Sequence, residues 1–289
     1  MIPPAFDYHA PGTLEEAIAL LTKHGESAKV LSGGQSLLPL LKLRLGFAEH
    51  LVDIGKIPNL EYITETKSEL RIGGATREVT LERSDLIRDT YPILHDATVV
   101  IADPLVRNRA TVGGNLAHGD PANDHPAVML ALGATVVVRG PKGERTIPIT
   151  EFFRGLFQTA LAPDEILTEI RIPKPAAHSG GAYVKLERKV GDYATAGAAA
   201  QLTIEKGKIA KAGIGLTNGG PVPVKAVKAE ASLVGKAPDE KTFAAAAALA
   251  GQAVSPNADW RGSAEYKVEM ARVLTGRALA RAAERAGGR

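Results

Sequence analysis

Between residues 173 and 181 the chain reads Pro173-Lys174-Pro175-Ala176-Ala177-His178-Ser179-Gly180-Gly181, and no other stretch limits the fold as much. Proline lacks the N–H that a helix interior or an inner strand needs, and glycine loses the most backbone freedom on ordering. The segment therefore reads as a connection between two lobes, residues 1–176 and 177–289. With 289 residues, 45% of them hydrophobic, the chain has enough apolar surface for a core in each.

Upstream of the connection, short strands alternate with helices. A strand near Phe6 to Tyr8 precedes a helix opened by Thr13, with Glu16 three residues on as in a capping box, and closed by Gly25. A strand at Lys29 to Leu31, a helix from Ser36 to Leu45 and a strand at His50 to Ile54 complete a first α/β subdomain, about 1–55. The second, about 56–176, takes a strand at Glu69 to Ile72, one helix within Ser84 to Thr98 and another near Pro126 to Leu132. A hairpin of Ala134 to Arg139 with Arg145 to Ile149, and a strand at Glu169 to Ile172, finish it. Downstream, Ala182 to Arg188, Ala198 to Ile204 and Ile209 to Thr217 read as three antiparallel strands. Helices follow at about Pro223 to Leu233, Lys241 to Val254 and from Ser263 onward. The expected class is α+β: a two-lobed domain of two small α/β subdomains, then a three-stranded sheet with a helical bundle.

Composition removes several functions. With no cysteine, the chain cannot ligate an iron–sulfur cluster or use a thiolate nucleophile, so redox chemistry would need a bound organic cofactor. The formal charge of +3 is dispersed and aromatics are 4%, which argues against nucleic-acid binding. The seven histidines show no compact metal-binding spacing and read as solvated surface; no metal site is expected. No run of about 18 apolar residues and no signal peptide is visible, so a cytoplasmic location is expected.

Two glycine pairs carry the chemistry: Ser32-Gly33-Gly34-Gln35-Ser36, and Thr111-Val112-Gly113-Gly114-Asn115. Backbone N–H groups unshielded by Cβ atoms can approach phosphate oxygens, and Ser, Thr and Asn add donors. Neither pair is a dinucleotide-fold fingerprint or a P-loop. Read as loops, the two together suit a pyrophosphate clamped between two subdomains, although either alone is more often a tight turn than a ligand loop.

The order of these motifs, with Val52-Asp53-Ile54, Ile101-Ala102-Asp103-Pro104, Arg107-Asn108 and Gly119-Asp120-Pro121-Ala122-Asn123-Asp124, resembles the FAD-binding medium subunit of molybdenum hydroxylases. Tyr183 to Ala196, Gly215-Leu216-Thr217-Asn218, Ala264 to Lys267 and Arg277-Ala278-Leu279 are similar to the carbon monoxide dehydrogenase branch in particular. The resemblance implies non-covalent FAD, with Ser32, Gly33, Gly34, Gln35, Ser36, Thr111, Val112, Gly113, Gly114 and Asn115 around its pyrophosphate. It also implies cofactor contacts from Ile101, Asp124 (the polar part of FAD), the backbone of Leu167, Lys185 (a charge near the ring system), Asp192 and Tyr193 (covering one ring face). Read alone, Asp124 is a helix cap and Lys185 a solvated strand lysine. Gln35 stands where the family commonly has histidine, and Ala110 where it has glycine.

By the same resemblance, the molybdenum cofactor and [2Fe-2S] clusters belong to partner subunits, one large and one small, in a dimer of heterotrimers. The chain would relay electrons from those clusters to an external acceptor, with peripheral association to a membrane acceptor as one arrangement. Carbon monoxide is the implied substrate of the complex; an aldehyde, xanthine or N-heterocycle dehydrogenase is the alternative. A self-contained flavin oxidoreductase and a non-catalytic nucleotide-binding protein are the other classes these loops permit.

Overall fold

The first subdomain is built around a parallel sheet in the order β1-β3-β2, from β1 (Asp7–His9), α1 (Leu14–His24), β2 (Ala28–Leu31), α2 (Leu37–Lys42) and β3 (His50–Asp53). The structure is a computed structural model that describes residues 1–287. Thr13 caps α1, its Oγ1 accepting the Glu16 N–H at 3.2 Å, while the Glu16 carboxylate accepts the Gly12 N–H at 2.8 Å. Gly25, at φ 54°, ends it. Leu14, Ala17, Ile18 and Leu21 form one buried stripe against Ala28, Val52 and Ile54. The second helix stops at Lys42, short of the expected Leu45, because Arg44 turns to φ 62°.

The next part contains β4 (Ile63–Glu65), β5 (Glu69–Gly73), α3 (Glu78–Glu82), α4 (Asp85–Thr90), α5 (Pro92–Val99), α6 (Pro104–Arg107), α7 (Val112–His118) and α8 (Asp124–Leu132). It continues with β6 (Thr135–Gly140), β7 (Gly143–Pro148), the small hairpin β8 (Phe153–Gly155) and β9 (Gln158–Thr159), and β10 (Ile166–Pro173). Its sheet, ordered β4-β5-β10-β6-β7, is antiparallel throughout. The single helix expected within Ser84 to Thr98 is two, broken at Tyr91 because Pro92 disfavours a helical conformation in the residue before it.

The last lobe holds β11 (Ser179–Leu186), β12 (Ala196–Glu205), β13 (Lys208–Thr217), β14 (Val224–Lys225), α9 (Val227–Leu233), α10 (Glu240–Gln252) and α11 (Ala264–Gly287). Its sheet has four strands rather than the expected three, since the two-residue β14 pairs with Gly215 and Leu216. Lys206 and Gly207, both at positive φ (51° and 74°), make the tight hairpin turn between β12 and β13. The connection itself is shorter than expected. Ser179, Gly180 and Gly181 already lie in β11, where a Cβ on Gly180 would sit 2.2 Å from the Ala282 carbonyl of α11. Glycine there serves close helix packing, not flexibility.

This sheet is covered on both faces. Ala198, Ala200 and Leu202 pack into the α9–α11 cluster, whereas Ala199 and Tyr183 belong to the core of the preceding lobe. Helix α8 lies so close to β13 that Cβ atoms on Gly213 and Gly215 would meet the Ala131 and Ala127 carbonyls at 2.0 and 1.9 Å. The lobes thus share a buried face. No helix among the described residues is long and apolar enough to cross a membrane.

Candidate functional site

The two glycine motifs, 79 residues apart in sequence, meet. Ser32, just beyond β2, and Thr111, the N-cap of α7, have hydroxyls 2.8 Å apart. Gly33 makes the approach possible, because a Cβ there would lie 2.2 Å from the Arg109 carbonyl. Together they wall a cavity of about 490 Å³ that also takes in Phe47, His118, Phe157 and Leu167, within the usual range for a small-molecule or cofactor site.

Their donors differ. The backbone N–H groups of Gly33, Gly34 and Gln35 have no protein acceptor among the described residues, and Gly34 adopts φ 74°. The second motif is not the loop expected: Gly113 and Gly114 lie in the first turn of α7. Its N–H groups are spoken for. Val112 donates to Thr76 O, Gly113 to Gly74 O, Gly114 to Thr111 Oγ1 and Asn115 to Thr111 O. Gly113 is required by packing, since its Cβ would sit 2.4 Å from the Gly74 carbonyl. What α7 offers the cavity is side chains, above all Asn115, whose buried Oδ1 has no partner among the described residues. Ser32, Gly33, Gly34, Gln35, Ser36, Thr111, Gly113, Gly114, Asn115 and Leu167 line the cavity. Val112 does not; it is fully buried in the core. Free amides on one wall, hydroxyls and an unsatisfied amide side chain on the other, and apolar rings beyond them fit a dinucleotide such as FAD.

The remaining residues singled out above lie outside this cavity. Asp124 opens α8 and is buried; its carboxylate accepts the Tyr183 hydroxyl at 2.6 Å and Lys185 Nζ at 3.1 Å. Burial raises its pKa above the usual carboxylate value, opposed by Lys185 and Tyr183. Asn123 occupies the cap position, so Asp124 is no helix cap. Lys185 is not solvated either: its side chain is 3% exposed, donates to Val100 O at 2.9 Å and lies 3.3 Å from Glu187. Ile101 is buried, and its carbonyl accepts Arg107 Nη1 at 2.9 Å. The next residue, Ala102, abuts Gly191, where a Cβ would meet the Ala102 carbonyl at 2.5 Å.

That contact helps to place the segment carrying Asp192 and Tyr193. Asp192 is held by Arg261 at 2.7 Å and Arg188 at 3.6 Å and accepts the Tyr193 N–H at 2.8 Å. Burial would raise its pKa, but Arg261, the Tyr193 amide and Arg188 hold it below the usual value. Both arginines lie on Trp260, with the guanidinium carbon of Arg261 4.0 Å and that of Arg188 4.3 Å from the ring centroid. Tyr193 is half-exposed, and its ring centroid lies 6.0 Å from the Arg261 guanidinium carbon.

Several groups here left no trace in local sequence. Tyr183 is the hydroxyl that fixes Asp124. His125 and Glu78 form a fully buried pair at 2.7 Å, so His125 is not the surface residue expected. Burial would lower the pKa of His125, but Glu78 outweighs it and the net shift is upward. His9, His24 and His50 also converge, against the expectation of scattered solvated rings.

Comparison with known proteins places this architecture. The family described as the FAD binding domain in molybdopterin dehydrogenase matches residues 4–175, and the CO dehydrogenase flavoprotein C-terminal domain matches residues 181–282. The chain belongs to this flavoprotein family. It is an FAD-binding oxidoreductase subunit of the molybdenum hydroxylase type. Among its relatives, the carbon monoxide dehydrogenase medium chain of Afipia carboxidovorans is 46% identical over 99% of both chains. The solved carbon monoxide dehydrogenase of Hydrogenophaga pseudoflava that lacks the Mo-pyranopterin moiety superposes with a TM-score of 0.96 at 47% identity, covering 99% of each chain. Quinoline 2-oxidoreductase of Pseudomonas putida 86 superposes at 0.92 with 36% identity, covering 99% of each chain, so one family fold serves enzymes with different named substrates.

Proposed function

We propose that FAD occupies the cavity between Ser32–Ser36 and Thr111–Asn115, and that the chain relays electrons for a complex that oxidises carbon monoxide at a molybdenum centre. When bound, FAD supplies reversible one- and two-electron chemistry at its ring system. The chain's own part is to bind and orient. Gly33, Gly34 and Gln35 present N–H groups to the pyrophosphate, Ser32 and Thr111 through their hydroxyls and Asn115 through its Nδ2 group complete its hydrogen bonding, and Tyr193 covers the ring side of the cleft. Residues 1–176 would form the FAD-binding part and 177–289 the C-terminal part. The observation that carries this reading is the 2.8 Å Ser32–Thr111 joint, which turns two distant motifs into one cleft.

Electrons would come from clusters held elsewhere, since this chain has no cysteine to ligate one. The partners we infer are a large molybdenum subunit and a small iron–sulfur subunit, in a cytoplasmic dimer of heterotrimers able to deliver electrons to an acceptor at a membrane. The likeness to a carbon monoxide dehydrogenase medium chain supports this choice over the wider set of substrates.

The test combines Ser32→Ala with Asn115→Leu. Each removed hydrogen bond to a charged group is worth roughly 1.5–3 kcal/mol, so the pair weakens FAD affinity by about two to four powers of ten. Flavin absorbance measured beside circular dichroism on one sample should show a folded chain that has lost its flavin. A folded double variant with full FAD content sinks the proposed site.

A further inference from the structure

Three imidazoles far apart in sequence meet on the outer side of the first subdomain. His9 ends β1, His24 ends α1 and His50 opens β3. One ring nitrogen from each lies within 4.8 Å of those of the other two. The strand register produces part of this: Asp7 pairs with His50 in the parallel ladder, and His9, two residues on, points to the same side as Asp7. His9 Nε2 and His50 Nδ1 are 3.2 Å apart, and the His24 and His50 ring centroids 3.7 Å. All three are half-buried, and none lines the cofactor cavity.

Tetrahedral coordination with metal–nitrogen bonds of about 2.0–2.1 Å places ligating nitrogens about 3.3–3.4 Å apart. The His9–His50 pair already has nearly that spacing, and a side-chain rotation brings in His24. Asp7 Oδ2 lies 3.5 Å from His50 Nδ1 on a largely exposed side chain free to swing. One further feature favours a cation: His24 stands at the C-terminal end of α1, where the helix dipole is negative.

We propose that His9, His24 and His50, with Asp7 or a water as fourth ligand, bind a borderline divalent transition metal of the zinc type. Nitrogen donors select such ions over magnesium or calcium. The metal would fasten the end of α1 to β1 and β3 at the start of β2, the strand whose far end carries the first glycine motif. Its role is structural and separate from the flavin.

The full-length, flavin-loaded chain, freed of metal by a chelator, is titrated with Zn²⁺ alone by calorimetry. One equivalent should bind and raise the thermal midpoint without changing flavin absorbance, while Mg²⁺ gives no response. His24→Ala should lower the Zn²⁺ affinity by more than the roughly 10–100-fold that loss of an outer-shell partner costs, and abolish the thermal shift. Co²⁺ bound to the unmodified chain provides a second readout that needs no variant: four-coordinate ligand-field bands, displaced by Zn²⁺. Absence of binding, a six-coordinate cobalt spectrum, or unchanged affinity in His24→Ala overturns the site.

Discussion

Replacing Lys185 by methionine keeps most of the side-chain volume and removes one charge from the centre of the molecule. In the native chain that ammonium lies 3.1 Å from Asp124 and 3.3 Å from Glu187, and its side chain is 3% exposed. Removing one partner of a buried pair costs about 3–5 kcal/mol, because the remaining charge loses its counterion. At roughly 2–4 °C per kcal/mol for a chain of this size class, the thermal midpoint should fall by about 6–20 °C. The loss should depend on pH. Asp124 already has a raised folded pKa, so the folded state binds its proton more tightly than the unfolded chain, and stability falls as pH rises above the reference 3.8. Without Lys185 the carboxyl rises further, so the deficit is largest near neutrality and shrinks on acidification. Asn at position 124 in the Lys185→Met background should recover much of the stability, as a double-mutant cycle would show. If FAD binds as proposed, the loss of a cation also lowers the flavin midpoint potential, disfavouring an anionic reduced ring. Urea unfolding of the four chains at several pH values measures this; a single-variant loss below about 1 kcal/mol, the scale of an exposed pair, would refute the reasoning.

Gly113→Ala should lose stability and flavin together, because the new Cβ would strike the Gly74 carbonyl at 2.4 Å and push α7 off the end of β5; flavin release from a chain of native thermal midpoint would count against this. The His125–Glu78 pair should make stability fall as pH rises. With the folded pKa of His125 raised above 6.5, its contribution is present below 6.5 and is lost through the raised folded value at up to about 1.4 kcal/mol per pH unit. Glu78→Gln should flatten that slope in urea titrations, whereas an unchanged slope would assign the proton to another group.

Where a residue's role depends on its near neighbours in sequence, it was legible. The Thr13–Glu16 cap, the Gly25 stop and the antiparallel pair of β12 and β13 each follow from a few consecutive side chains. Gly113 and Gly114 misled because paired glycines read as a loop, whereas here a capping threonine and the need to touch Gly74 keep them helical. Val224 and Lys225 form a strand too short to announce itself. Asp124 and Lys185, 61 residues apart, were each marked through resemblance, yet nothing local could show that they neutralise each other. The three histidines were invisible for the same reason, since strand register rather than spacing brings them together.

Asp96, on α5, accepts the Tyr183 N–H and both terminal nitrogens of Arg285, and lies 3.3 Å from Arg281. Arg285 also donates to the Gly181 carbonyl at 2.6 Å. These contacts span 189 residues between Asp96 and Arg285. On a ribosome, therefore, the amino-terminal lobe can collapse early but waits, with an unanswered carboxylate and an uncovered sheet face, until α11 has emerged. Such distant closures are slow and leave sticky intermediates exposed to chaperones or to wrong partners. The production of this protein should accordingly be sensitive to translation speed over its last helix and to anything that delays that helix from docking.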